Sequence, residues 1–276
     1  VIVTRNRRAE LLTTLERLTA LPERPPVLVV DNASSDGTVA AVRARQSCIG
    51  VIGLAENRGA AARNVGVEAV ATPYVAFNDD DSWWAPGALS TAEDLLDAHP
   101  RLALIAARVL VGSEQRLDPA SATMAASPLP ARDGLPGPRV LGFVACAAVV
   151  RREPFQAVGG FEARLGTGGE EELLALDLAA TGNELAYVDT VTAHHHPSPG
   201  ERPRRIRNTV RNSLLTAWLR RPLPDALRHN GRLLLRHRRD RQALLGAVDA
   251  LRAAGWVRRE RRPVGPGLRR ELRTLD

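Results

Sequence analysis

The chain has 276 residues, 44% of them hydrophobic, enough for one large domain or a domain with an extension. All 38 basic residues are arginine, against 31 carboxylates, for a formal net charge of +7. The two cysteines, Cys48 and Cys146, sit in apolar surroundings with no zinc spacing and point to two buried free thiols, and no run reaches the roughly 18 apolar residues of a membrane span.

The chain opens on Val1-Ile2-Val3, already inside a strand and without an initiator methionine. A few N-terminal residues are therefore expected to be missing, so the lack of a signal peptide carries little weight. Apolar runs predict strands over 1–4, 27–31, 48–54 and 74–78, separated by helical spacing over 9–20, 38–45 and 60–71. A helix over 89–98 and a strand over 102–111 follow. Residues 112–139, rich in Pro, Gly, Ser and Ala, read as a long loop. Then come a strand over 140–150, a helix over 170–181 ending at Gly182, and a short strand over 185–188. Such alternation implies an α/β fold with a mostly parallel sheet covered by helices on both faces.

Polar motifs fall where these strands end, the edge at which open α/β sheets bind ligands. Thr4-Arg5-Asn6-Arg7 follows the first strand. Asp31 closes the second, with Asp36-Gly37-Thr38 suited to a turn into the next helix. Arg58 and Arg63 belong to a segment that either faces phosphate or is plain surface. The fourth strand ends in Asn78-Asp79-Asp80-Asp81. Adjacent like charges are tolerated most easily around a cation, and carboxylate oxygens suit Mg²⁺ or Mn²⁺, whose remaining ligands are phosphate oxygens and water. A solvated acidic turn is the plainer alternative. Of Trp83 and Trp84, one is expected to pack and the other to contact an acceptor.

Taken in order, these segments resemble the family-2 type of inverting glycosyltransferases, which have a GT-A fold. The resemblance spans roughly residues 1–197. It rests on the two strand-end motifs, Asn57-Arg58-Gly59 with Arg63-Asn64-Val65-Gly66, Phe77-Asn78-Asp79-Asp80-Asp81, Val158-Gly159-Gly160-Phe161, Gly169-Glu170-Glu171-Glu172-Leu173 and His194-His195. It implies that Thr4, Arg5 and Asp31 hold a nucleoside, that Arg63 lies near the donor, and that Asp79 and Asp80 belong to the donor site. Asp79 and Asp81 would form an Asp-x-Asp pair, with Asp81 the direct ligand of a divalent Mg or Mn ion and His194 beside it. Aligning Gly169 and Gly182 puts Glu171 at the general base, with Glu170 second. Two departures stand out: Glu where Asp is commoner, and Asp177 where the family often has Arg.

The tail differs in charge. Residues 1–200 carry 17 Arg against 24 acids, whereas residues 201–276 carry 21 Arg against 7. A boundary is expected at Pro197-Ser198-Pro199-Gly200, dividing a nucleotide-sugar-binding catalytic domain (1–200) from an Arg-rich helical extension (201–276). Helical patterns over 206–219, 223–236 and 241–253 have apolar and basic faces. These suit an anionic membrane surface first, packing onto the domain second, and nucleic acid last, since no nucleic-acid motif is present.

The expected activity is metal-dependent transfer of a sugar, with inversion, from a nucleotide-sugar donor to a glycan or lipid-linked acceptor in cell-envelope glycan or polysaccharide biosynthesis. The expected location is cytoplasmic, peripheral at the inner face of the plasma membrane. The absence of a Gln-x-x-Arg-Trp signature argues against a processive synthase, and that of a Gly-x-x-x-x-Gly-Lys loop against a P-loop enzyme. A nucleotidyltransferase and a non-catalytic sugar-nucleotide or glycan-binding module are the alternatives.

Overall fold

The computed structural model describes residues 1–45, 49–197 and 202–276, with backbone alone over 202–204. Cys48 and the expected boundary residues Ser198, Pro199 and Gly200 lie outside the described residues. Buried aliphatic runs form β1 (Ile2–Thr4), β2 (Val27–Asp31), β3 (Ile49–Gly53) and β4 (Tyr74–Asp79). They are linked through α1 (Arg8–Thr19), α2 (Thr38–Arg45) and α3 (Ala62–Ala69), the last preceded by a 3₁₀ turn, Gly59–Ala61. These four strands are parallel neighbours in the order β3-β2-β1-β4.

Beyond β4 the chain adds β5 (Ser82–Trp84), α4 (Ala88–Ala98), β6 (Leu102–Val111), β7 (Arg116–Leu117) and α5 (Pro119–Ala125). After these come β8 (Ala148–Arg151), α6 (Arg152–Ala157), α7 (Glu171–Ala180) and β9 (Glu184–His195). The sheet continues β4-β8-β6-β9-β5. β8 enters antiparallel between β4 and β6, while β6 and β9 run parallel to each other. Helices cover both faces. Leu11, Leu15 and Leu18 of α1 share one core with Ala92 and Leu96 of α4. Val67 of α3, Phe155 of α6 and Leu174 of α7 share the other.

Among the segments that depart from the sequence reading, three lie between 112 and 195. Within 112–139, Asp118 caps α5 by accepting from Ala120 N at 2.7 Å, with Pro119 at the first helical position, so local capping chemistry makes a helix where composition suggested loop. Over 140–150 only the last few residues are strand, because a 3₁₀ turn at Ala145–Ala147 breaks the extended chain. β9 runs to His195 rather than stopping at 188, since a register shift opposite Ala107/Arg108 absorbs the turn-like Asp189-Thr190.

The C-terminal part forms α8 (Arg202–Arg220), α9 (Leu223–Arg236), α10 (Arg241–Glu260) and α11 (Pro266–Leu275). Val210, Leu214 and Leu215 of α8 pack with Ala243 and Ala250 of α10 and with Leu165 and Leu173. Leu272 of α11 packs on Leu129, Leu141 and Leu176. Among the described residues, no helix is long and apolar enough to cross a membrane.

Candidate active site

Two strand-end turns interlock at the carboxyl edge of the sheet. Asn6, at φ 54°, donates its backbone N–H to Ser34 Oγ (2.8 Å) and accepts from Ser35 N through Oδ1 (2.7 Å). Arg8 N donates to Asp36 Oδ2 at 3.1 Å. This ties the loop after β1 to the loop after β2. Asp31, buried at the end of β2, accepts from Ser34 N at 3.0 Å through Oδ2. Its Oδ1 is buried with no partner among the described residues. A buried carboxylate oxygen left unmatched is costly, so this atom could accept from a bound group. Asn32 donates to Gly59 O (3.0 Å) and accepts from Arg58 N (2.7 Å), which seats the Asn57-Arg58-Gly59 segment beside it.

The acidic run is a braced cluster. Asp80 points inward, 6% exposed, accepting from Thr4 Oγ1 at 2.8 Å and facing Arg7 Nε at 2.7 Å. Burial pushes its pKa up to about 7 against the pull of Arg7 and Thr4. Asp81 accepts from Arg7 at 2.7 Å, and its other oxygen lies 3.4 Å from His195 Nε2. Burial would raise the Asp81 pKa, but the His195 contact and the Arg7 charge bring it below the ordinary value. The imidazole responds in reverse: burial works to lower the His195 pKa, and Asp81 raises it overall.

Asp79 meets Arg63 of α3 in an ion pair. Arg63 is 5% exposed, its guanidinium sits 5.5 Å from the centre of the Phe161 ring, and its Nε has no partner among the described residues. Asn64 holds that ring in position, accepting from Phe161 N and donating to Phe161 O, both at 2.9 Å. A side chain at Gly160 would meet Asn64 Oδ1 at 2.4 Å, which explains the Gly-Gly-Phe sequence. The Arg63 charge reaches Glu170 and Glu171 at the start of α7. Burial raises the pKa of both glutamates. Glu171 adds to the shift at Glu170, whereas an N–H from Ala145 opposes it at Glu171. Glu170 Oε2 is buried and unpartnered among the described residues.

The approach to α7 is held from outside the sheet. Gly166, Gly168 and Gly169 all have φ between 70° and 99°, which favours glycine. Asn212 of α8, fully buried, donates to Leu165 O (2.9 Å) and Gly168 O (2.8 Å), and Asn208 donates to Thr167 O (3.0 Å). Gly166 O in turn accepts from Ala60 N at 3.0 Å, linking this loop to the Gly59 turn.

The structure thus brings Asp31, Arg63, Asp79, Asp80, Asp81, Glu170 and Glu171 to one edge, with Arg5 exposed after β1. Thr4, expected at a nucleoside, is 2% exposed and spends its hydroxyl on Asp80. His194, expected at the cation, lies elsewhere: it stacks on Trp83 with ring centres 5.7 Å apart, and Trp83 also meets His196 and the Arg17 guanidinium. Side chains alternate along β9, so His195 alone of the three turns toward Asp81. Trp84 is core, donating to Asn78 Oδ1 at 2.8 Å. The sequence reading assigned no role to Arg7, Asn32, Asn64 or Asn212, because their roles depend on partners 26 to 97 residues away.

The Asp81 carboxylate, which faces Arg7 and the His195 imidazole, and that imidazole are the donor types that could hold a divalent cation such as Mg²⁺ or Mn²⁺, whose other ligands would be phosphate oxygens and water. Among the described residues, no group of three His, Cys, Asp or Glu side chains forms a closed metal cage.

A sequence model for one family, Glycosyl transferase family 2, matches residues 1–159. No curated protein matches the chain. Among solved structures, S. aureus TarS is 19% identical with a TM-score of 0.58, over 77% of this chain and 39% of that one. The mannosyltransferase PcManGT from Pyrobaculum calidifontis, in complex with GDP-Man and Mn²⁺, is 21% identical with a TM-score of 0.65, over 92% and 73%. S. aureus TarS 1–349 in complex with UDP-GlcNAc is 17% identical with a TM-score of 0.65, over 86% and 71%. At such identities the likeness establishes the fold, which is GT-A, and the chain spans about two fifths of the first TarS chain.

Proposed function

The chain belongs to glycosyl transferase family 2, and on that premise we propose that it moves a sugar, with inversion, from a nucleoside-diphosphate donor to a hydroxyl acceptor. The supporting observation is the order of groups along one sheet edge: the unmatched acceptor of Asp31 on β2, the Asp79–Asp81 cluster after β4, and Glu171 reached through Arg63. The nucleotide-sugar and Mn²⁺ complexes of structurally similar proteins support a donor of this class and a divalent cation.

Asp31 Oδ1 accepts an N–H of the base, and Arg5 and the turn after β2 flank the nucleoside. Thr4 and Asp80 act at one remove, by holding Arg7 against Asp81. Asp81 with His195, and Asp79 beside them, would hold Mg²⁺ or Mn²⁺, which supplies charge neutralisation for the departing nucleoside diphosphate. Arg63 keeps Asp79 in place and favours the ionised form of Glu171. Glu171 takes the proton of the acceptor hydroxyl while that oxygen bonds to the anomeric carbon from the face opposite the diphosphate, whose C–O bond breaks. Glu170, buried and with a raised pKa, shapes the start of α7.

Residues 1–200 form the catalytic unit in this reading, and residues 201–276 complete its acceptor side. The acceptor is a glycan or lipid-linked precursor of the cell envelope, met at the inner face of the plasma membrane. The test is to screen nucleotide sugars by calorimetry with Mn²⁺, then follow turnover and the anomeric configuration of the product by NMR. Release of a nucleoside diphosphate with an inverted product is expected. Release of pyrophosphate would instead identify a nucleotidyltransferase, and donor binding without turnover a binding module.

A further inference from the structure

The outer face of α9 carries two adjacent ridges that neither the core nor the site uses. Leu223, Leu227 and Leu235 are 60%, 63% and 62% exposed, with Gly231 between them at the same four-residue spacing. Beside this apolar ridge runs a basic one, in which Arg228, Arg232 and Arg236 are exposed, and an exposed Arg239 follows in the turn after the helix. Single exposed leucines are ordinary, but three aligned on one face of a helix mark an interaction surface.

The inner face of the helix is firmly anchored. Asp225, 2% exposed, accepts from Arg273 of α11 at 3.0 and 2.8 Å and also pairs with Arg269. His229 lies 3.1 Å from Ser213 of α8 and 3.0 Å from Asp276. The outer face is therefore presented in a set orientation. Its charge is predominantly of one sign: Arg228 lies 3.2 Å from Asp225, and the other acidic residues described in this stretch are engaged away from the ridge. Asp225 is buried among arginines, Asp240 caps α10, Asp249 pairs with Arg207, and Glu260 pairs with Arg164.

We propose that this face of α9 docks on an anionic lipid bilayer, the leucine ridge entering the acyl boundary and the arginine ridge meeting lipid phosphates. An apolar row flanked by cations is the arrangement of helices that lie in the membrane interface. Arginine suits the task, with an aliphatic stem that follows the apolar surface and a planar fork that pairs with phosphate. A nucleic acid would use the arginines but leave the leucines in water. The inference rests on the lipid-linked acceptor proposed above for its purpose, yet vesicle binding is measured without donor or acceptor, so the two readings fail separately.

The experiment is flotation of the full chain with vesicles of phosphatidylcholine alone or mixed with phosphatidylglycerol. Binding to the mixed vesicles is expected. Leu227→Ser/Leu235→Ser and Arg232→Gln/Arg236→Gln should each weaken it roughly tenfold or more, at unchanged circular dichroism and Tm. Equal binding to both vesicle types would overturn the proposal, as would no binding to either, which would leave the ridge for an acidic protein partner. Loss in the arginine variant alone would remove the insertion of the leucines.

Discussion

Arg220 of α8 clamps Asp177 of α7, with Nη2 2.9 Å from one carboxylate oxygen and Nε on the other. The charge opposite Asp177 comes from a helix that follows the sheet. The same α8 supplies Asn208 and Asn212 to the loop before Glu170 and Glu171. The Arg-rich extension is thus a buttress for the proposed base, whatever else its outer face does.

Removing one of these props should be felt at the site. Asn212→Ala leaves Gly168 O without this donor and Leu165 O with Arg211 alone, a loss of about 1–3 kcal/mol. A lower Tm is expected, together with a fall in kcat that exceeds any change in donor affinity, measured by thermal melting, turnover and calorimetry.

The proposed cation site separates three histidines. Asp81→Ala should abolish Mn²⁺-dependent donor binding, and EDTA should do the same to the wild type. His195→Ala should weaken Mn²⁺ affinity, whereas His194→Ala should leave it near wild type because its ring lies against Trp83. Mn²⁺ titration followed by electron paramagnetic resonance tests this directly, and undiminished donor affinity in EDTA would refute the assignment.

The base has a pH signature. Glu171→Gln should lower turnover about 10²–10⁴-fold with donor affinity nearly unchanged. Burial raises the Glu171 pKa above its ordinary 4.5. The base works only when deprotonated, so the acid limb of kcat should lie above the range of an exposed glutamate. A Glu171→Gln enzyme of full activity would move the role to Glu170, and a limb at the ordinary value would place the base outside this buried pair.

Glu170 offers a stability test of opposite sense to a salt-bridged acid. Its folded pKa is raised by burial and by the Glu171 charge. The unfolded chain therefore loses its proton first, and the group destabilises the fold increasingly as pH rises from the ordinary glutamate value to the raised one. Glu170→Gln should raise Tm more at about pH 8 than at about pH 5, by differential scanning calorimetry.

The strand–helix alternation, the acidic run after β4 and the glycine-rich approach to α7 were legible in the sequence because each depends on neighbours within a few residues. Periodicity placed α2, β6 and α9 at their observed limits. It could not place β5, α6 or α11, which are short and take their stability from tertiary partners, as Leu272 of α11 does from Leu129 and Leu176. Composition marks residues 201–276 as distinct in charge, but charge says nothing of which face of a helix is buried. Only the folded chain decided which of three successive histidines faces Asp81, because strand register sets the side on which each lies. Only it joined Arg63 to Asp79 across 16 residues and Asn212 to Gly168 across 44, since hydrogen bonds are formed by proximity in space, and proximity is a property of the packed fold.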